Sequence, residues 1–156
     1  ETGPSWIYFV KKGATTIWER WNSIQPDGSI IDGMNSFNHY SYGAIGDWLY
    51  RSAVGIREAA PGFKKIIVRP HTGGGFDHMQ AATQTPYGKL AAKWTAEADV
   101  LKTLEVEIPV NTTAEIHVPA SSLEIVKSAN ALKPVGYEDG YAKFEVGSGK
   151  YSFAVQ

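Results

Sequence analysis

One carboxylate, Glu19, stands between two indoles in the segment Gly13-Ala14-Thr15-Thr16-Ile17-Trp18-Glu19-Arg20-Trp21. Aromatic rings offer apolar faces to the C–H surfaces of a sugar, and they strip water from a neighbouring carboxylate. Hydrolysis of a glycosidic bond needs two carboxyl groups, one an acid and the other a base or nucleophile. Residue types and spacing therefore make Glu19 a candidate general base. Plain packing is the alternative: Glu19 pairs with Arg20 or Arg51, and the tryptophans are core. A second cluster, Asn35-Ser36-Phe37-Asn38-His39-Tyr40-Ser41-Tyr42-Gly43, sets Asn38, His39 and Tyr42 near the expected start of a helix. If that helix end faces a cleft, His39 can hydrogen-bond a sugar hydroxyl or orient a water. Otherwise Ser36 or Asn38 caps the helix and His39 is an interior residue.

These residues must be held by elements that differ between the two parts of the chain. Residues 1–55 hold four of the five tryptophans, and from Phe63 onward the pattern turns β-like. The shift places a domain boundary between Gly55 and Gly62, giving domains 1–58 and 59–156. The first part reads as helix, loop, helix. Pro4 suits a first helical turn, Trp6–Lys12 forms the helix, and Gly13 ends it. An irregular stretch from Ala14 to Asn35 is broken by Pro26-Asp27-Gly28-Ser29 and Asp32-Gly33, with Asp27 and Asp32 read as turn residues. A second helix is expected from Ser36 to Val54, with Gly55 terminating it. Its apolar residues cover much of its circumference, so it must be buried against helices that this chain does not contain.

The second part reads as an antiparallel β-domain. Strands are expected at Phe63–Pro70, Gly88–Thr95, Leu101–Ile108, Thr113–Val118 and Tyr151–Val155. A hairpin turn is expected at Asp139-Gly140. Several short strands at this spacing make a β-sandwich or jelly roll. Among the aromatics of this part, Trp94 is expected in the core.

A formal net charge of -1 gives no electrostatic basis for binding nucleic acid or an anionic membrane. No apolar run approaches the roughly 20 residues that span a bilayer. The absence of cysteine excludes disulfides and thiolate metal sites. His71, His78 and His117 lack metal-ligand spacing, and neither a metal nor a cofactor is expected. The opening Glu1-Thr2-Gly3-Pro4, without an initiator methionine, reads as the start of a piece cut from a longer protein. The sequence leaves localisation open.

The motif Gly-Ala-Thr-Thr-x-Trp-Glu-x-Trp, followed by Ser-Phe-Asn-His-Tyr-x-Tyr-Gly-x-x-Gly-Asp-Trp-Leu-Tyr, resembles the end of the (α/α)6-barrel domain of bacterial α-L-rhamnosidases. Pro61-Gly62-Phe63-Lys64, Thr85-Pro86-Tyr87-Gly88, Trp94 and Ile108-Pro109-Val110-Asn111-Thr112-Thr113-Ala114 resemble the β-sandwich that closes those enzymes. The resemblance implies a mixed α and β fold, the terminal helices of a barrel followed by an antiparallel, jelly-roll-like sandwich. It implies an inverting glycoside hydrolase that removes terminal α-L-rhamnose. Glu19 matches the family's general base, His39 matches a rhamnose contact, and Trp18 and Trp21 are candidate walls of the sugar subsite. The family's general acid belongs to an upstream segment, so this polypeptide alone is expected to be inactive and to pack against the missing N-terminal part. A different reading is a stand-alone carbohydrate-binding or structural β-sandwich module, with Tyr87 or Trp94 available to a glycan.

Overall fold

The structure, a computed structural model, describes residues 5–156, so the part expected of Pro4 lies outside the described residues. The chain forms two compact units, one running to Asp47 and the other spanning Trp48–Gln156. No helix among the described residues is long and apolar enough to cross a membrane.

The first unit opens with helix α1, Trp6–Lys11. Ser5 caps it, its hydroxyl accepting from the Tyr8 amide at 3.0 Å. Gly13 follows with φ 83°, a left-handed turn that suits glycine. The irregular stretch beyond it folds back on the helix. The Tyr8 hydroxyl donates to the Ile24 carbonyl at 2.6 Å, and Lys12 Nζ donates to the Pro26 carbonyl at 2.9 Å. Asp27 shapes the tip of this turn, accepting from the amide of Ser29 at 2.9 Å and its hydroxyl at 2.7 Å. Those hydrogen bonds hold the Asp27 carboxyl below its ordinary value, the state of a turn residue and not of a proton donor.

The second helix starts later than expected. Helical backbone begins with a 3-10 turn at Ser41–Ala44, continues as α2, Ile45–Trp48, and closes with a π turn at Leu49–Val54. Ser36 does not cap it. The Ser36 carbonyl instead accepts from the Glu19 amide, and residues 36–39 are spent on pairing with residues 17–19. Gly55 ends the helix as expected, at φ 91°.

Ten strands make up the second unit. In chain order they are β1 (Ile56–Glu58), β2 (Lys65–Val68), β3 (His78–Thr85), β4 (Gly88–Glu97) and β5 (Val100–Ile108), then β6 (Thr113–Pro119), β7 (Val126–Ser128), β8 (Gly136–Glu138), β9 (Tyr141–Val146) and β10 (Gly149–Val155). They form two five-stranded sheets, ordered β1-β2-β6-β9-β8 and β3-β4-β5-β10-β7. The inward residues of both sheets merge into one core, among them Ile66, Val68 and Ile116 from the first and Leu90, Trp94 and Leu104 from the second. Phe144 of β9 meets Phe153 of β10 across that core, ring centroids 4.8 Å apart. This is the expected β-sandwich, with one correction: β2 pairs β6 in parallel. The chain leaves β2, builds β3–β5 in the opposite sheet, and returns as β6. A parallel neighbour requires a long crossover of that kind. The sandwich also begins ahead of residue 59, because Ile56–Glu58 is hydrogen-bonded in register to β2. The composition shift marks where aromatics thin out, which is not where the backbone enters the sheet.

Local chemistry accounts for the turns. Asp139 and Gly140 both take positive φ, 51° and 80°, and join β8 to β9 in the tight two-residue turn whose twist matches the strands. Leu101 and Leu104 both point inward although three residues apart. The register shifts by one residue there, leaving Lys102 without an opposite partner, and this bulge resets the alternation.

Gly55 is the point of closest backbone approach. A Cβ at this position would lie 2.2 Å from the Arg69 carbonyl carbon and 2.3 Å from the Pro70 nitrogen. The Gly55 carbonyl also accepts from the Arg69 amide at 2.8 Å. Gly55→Ala should therefore lower stability by about 2–4 kcal/mol, from left-handed strain and overpacking together. Chemical denaturation of the two proteins measures this, and a loss under about 0.5 kcal/mol would show that the backbone there yields freely.

Candidate active site

Two backbone hydrogen bonds join the two motif segments. The Glu19 amide donates to the Ser36 carbonyl at 2.8 Å, and the His39 amide donates to the Ile17 carbonyl at 2.7 Å. A third link runs from the Thr16 hydroxyl to the Phe37 carbonyl. Glu19 and His39 are thus fixed on adjoining strands of chain, twenty positions apart in sequence. Behind them, the Ser23 hydroxyl is fully buried, lying 2.9 Å from the Arg20 carbonyl and 2.7 Å from the Asn35 side chain. This contact ties the far end of the Glu19 loop to the start of the His39 segment.

The Glu19 side chain is half-buried and enters no ion pair among the described residues. Of the packing alternative, the pairing of Glu19 with Arg20 is not formed, whereas the core role of the tryptophans is met at Trp18, which is 3% exposed. A half-exposed, unpaired carboxylate keeps its lone pairs for a ligand or a water. At His39, Nδ1 accepts from the Ser41 amide at 3.2 Å. In the neutral ring that fixes the proton on Nε2, so His39 presents a donor outward.

The tryptophans do different things. Trp18 is 3% exposed, pressed between Phe9 at 4.8 Å and Phe37 at 5.3 Å, and its ring offers almost no surface to a ligand. Trp21 is half-buried. Tyr42 stacks on it at 4.3 Å and 26°, Phe9 lies tilted at 5.0 Å, and Trp6 meets it edge-on at 5.3 Å. Both indoles thus help build an aromatic floor that sets the Glu19 loop. Sequence reasoning singled out both tryptophans but did not see that Phe9 and Tyr42 would occupy them. Tyr40, whose ring lies parallel to that of His39 with centroids 5.3 Å apart, is 87% exposed.

Comparison with known proteins follows the same division. Residues 1–53 match the model of the bacterial alpha-L-rhamnosidase 6 hairpin glycosidase domain, and residues 55–133 match that of the bacterial alpha-L-rhamnosidase C-terminal domain. The chain belongs to the bacterial α-L-rhamnosidase family.

Similarity to individual family members extends over nearly all of the sequence. A curated alpha-L-rhamnosidase of Streptomyces avermitilis is 41% identical over 155 residues, which is 99% of this chain and 15% of the relative. A solved structure of the Streptomyces avermitilis alpha-L-rhamnosidase complexed with L-rhamnose superposes with a TM-score of 0.88, again over 99% of this chain and 15% of that one. The alpha-L-rhamnosidase from Dictyoglumus thermophilum superposes with a TM-score of 0.80 at 33% identity, over 99% of this chain and 18% of that one. The chain thus spans less than a fifth of the length of these rhamnosidases, and it aligns with their C-terminal part.

The rival reading, a glycan-binding module, loses its aromatic platform. Trp94 is wholly buried in the sandwich, its indole N–H donating to the Ala53 carbonyl at 2.9 Å. Tyr87 is half-buried with Lys64 Nζ 5.0 Å from its ring centre. Neither ring belongs to a row of exposed aromatics.

Proposed function

We propose that this chain supplies the water-activating half of an inverting α-L-rhamnosidase site, within a polypeptide that removes terminal α-L-rhamnose from glycosides or polysaccharides. The observation that carries this reading is the backbone pairing of residues 17–19 with 36–39, which ties the segment of an unpaired carboxylate, Glu19, to that of a histidine whose Nδ1 accepts from the Ser41 amide. In the proposed mechanism Glu19 accepts a proton from a water. That water attacks the anomeric carbon, and the leaving oxygen is protonated from the opposite face. Inversion requires the two carboxyl groups to stand roughly 6.5–9.5 Å apart to admit the water. His39 donates from Nε2 to a rhamnose hydroxyl and so orients the ring. Trp21 borders the subsite, and Trp18 supports it from beneath.

The general acid belongs to a part of the enzyme outside this chain, by resemblance to the family. The residues ahead of the sandwich would then close the catalytic barrel, and the sandwich would be its accessory domain. The apolar side chains left exposed ahead of the sandwich, Ile7, Val10, Ile30, Met34 and Ile45, support packing against the remainder of the barrel.

Two measurements test the reading. The full-length polypeptide should hydrolyse p-nitrophenyl α-L-rhamnoside with β-L-rhamnose as the first-formed anomer, followed by proton NMR before mutarotation. The 156-residue chain alone should show no turnover above background. First appearance of the α anomer would exclude inversion, and turnover by the short chain would place the acid within it.

A further inference from the structure

We propose that the open edge of strand β3 is the line on which the preceding part of the same polypeptide docks onto the sandwich. This rests on the reading of the chain as the C-terminal part of a longer rhamnosidase, and not on the role of Glu19.

Among the described residues the two sheets end in four strands, β1, β8, β3 and β7. Three of them are only three residues long, which leaves little edge to pair with. Strand β3 has eight residues, His78-Met79-Gln80-Ala81-Ala82-Thr83-Gln84-Thr85, with no Lys, Arg, Asp, Glu or Pro among them. Its register with β4 runs from His78↔Thr95 to Thr85↔Gly88 without a shift, so no bulge turns the edge away. A long, uncharged and unbroken edge is a feature that folded proteins cover.

The hairpin fixes which groups are open. Pro86 and Tyr87 alone join β3 to β4, which makes Thr85 and Gly88 a hydrogen-bonded pair. Alternation along an antiparallel ladder then gives the backbone groups of Thr83, Ala81 and Met79 to β4 and turns those of Gln84, Ala82 and Gln80 outward. Of the outward groups, the Ala82 carbonyl has a partner: the Tyr50 hydroxyl donates to it at 3.3 Å. The backbone groups of Gln80 and Gln84 have none among the described residues.

Tyr50 points to the occupant. It stands in the helical turn Leu49–Val54, and residues 1–53 are the part that matches the glycosidase domain. The end of that part is thus already seated on the edge of β3. The sandwich also holds the same turn at three successive carbonyls. Arg51 accepts from Arg57 Nε at 2.8 Å, Ser52 from the His71 amide at 3.1 Å, and Ala53 from the Trp94 indole at 2.9 Å. A second copy of the chain fits less well, because Tyr50 caps the middle of the edge and interrupts any strand laid along it. Docking of the preceding polypeptide continues the contact that the turn begins, with acceptors facing the Gln80 and Gln84 amides and donors facing their carbonyls.

Hydrogen exchange resolved to single residues tests this on the full-length polypeptide and on the 156-residue chain, each residue compared with itself. The Gln80 and Gln84 amides should exchange freely in the short chain and slow by at least roughly fivefold in the full-length polypeptide, the effect of one hydrogen bond. The Ala81 and Thr83 amides, bonded to β4, should be slow in both and serve as the control. Equally fast exchange at Gln80 and Gln84 in both proteins would overturn the proposal. So would equal slowing of all four amides, which reports a stiffer sandwich and not a covered edge. Slow exchange at Gln80 and Gln84 already in the short chain would overturn it as well, and its dependence on chain concentration would assign the edge to a second copy. Turnover enters none of these readouts, so the result leaves the Glu19 assignment to its own test.

Discussion

Glu19→Gln, introduced into the full-length enzyme, is expected to lower kcat by roughly 10²–10⁴-fold with little change in KM. Glutamine keeps the shape of glutamate and can still hydrogen-bond the attacking water, but it cannot take up the water's proton. General base catalysis is worth about that range. In the proposed mechanism rhamnose is bound by His39 and by groups outside this chain, so substrate affinity should survive and the loss should fall on the chemical step. The backbone that positions the residue should also survive. Its amide, not its carboxylate, makes the bond to Ser36, and the carboxylate holds no ion pair whose loss would disturb the loop. Glu19→Ala gives an independent check. The vacated space admits azide, an anion that attacks without needing deprotonation, so azide should restore turnover and yield the β-configured glycosyl azide. A Glu19→Gln enzyme with more than a tenth of normal kcat, with folding verified by its melting curve, would end the case for Glu19 as base.

The chemistry was easier to find in the sequence than the geometry that serves it. Glu19 and His39 were candidates by residue type, each with a plain packing or capping alternative, and their proposed roles come from the resemblance of the two motifs to the family. The pairing of residues 17–19 with 36–39 left no such trace. It is made by backbone groups across a turn-rich loop, and backbone donors look alike at every residue. For the same reason the start of the second helix was misplaced. Ser36 is a good capping residue in isolation, but its hydroxyl accepts from the Asn38 amide in a local turn while its carbonyl accepts from Glu19, and the His39 ring takes the Ser41 amide at the real start of the helix. Trp18 and Trp21 looked like subsite walls because exposed and buried indoles cannot be told apart by type. Only the placement of Phe9, Phe37 and Tyr42 decides which ring faces are taken.

The sandwich divides in the same manner. Strands β5 and β6 were legible because large apolar residues alternate with charged ones. Strand β3 was not, since its partly covered positions hold Met79, Ala81 and Thr83, two of them too small to stand out from Gln80, Ala82 and Gln84 beside them. The parallel β2–β6 pairing joins residues almost fifty positions apart, and no local pattern specifies such a partner.

Trp94→Ala should cost about 4–6 kcal/mol, which approaches the whole stability of an ordinary domain. The cost has two sources. Trp94 is the largest fully buried side chain, at the centre of β4, and its removal leaves a cavity that two pleated sheets cannot collapse to fill. Its N–H is also the partner of the Ala53 carbonyl, in the last turn of the helical segment Leu49–Val54. Without it that carbonyl is left buried with a lost bond. Trp94→Phe separates the two, retaining much of the ring while losing the donor, and should cost about 1–3 kcal/mol. Urea melts of the 156-residue chain measure both differences. Hydrogen exchange locates the second: the Gly55 amide, bonded to Tyr50, should lose protection in both variants, because the turn that holds it is anchored through the indole. A Trp94→Ala melt within 1 kcal/mol of the parent chain would mean that the sheets pack without this residue. The link from the sandwich core to the end of the helix would then be carried by the burial of Val54, by the His71 amide on the Ser52 carbonyl and by the Gly55 contact with Arg69.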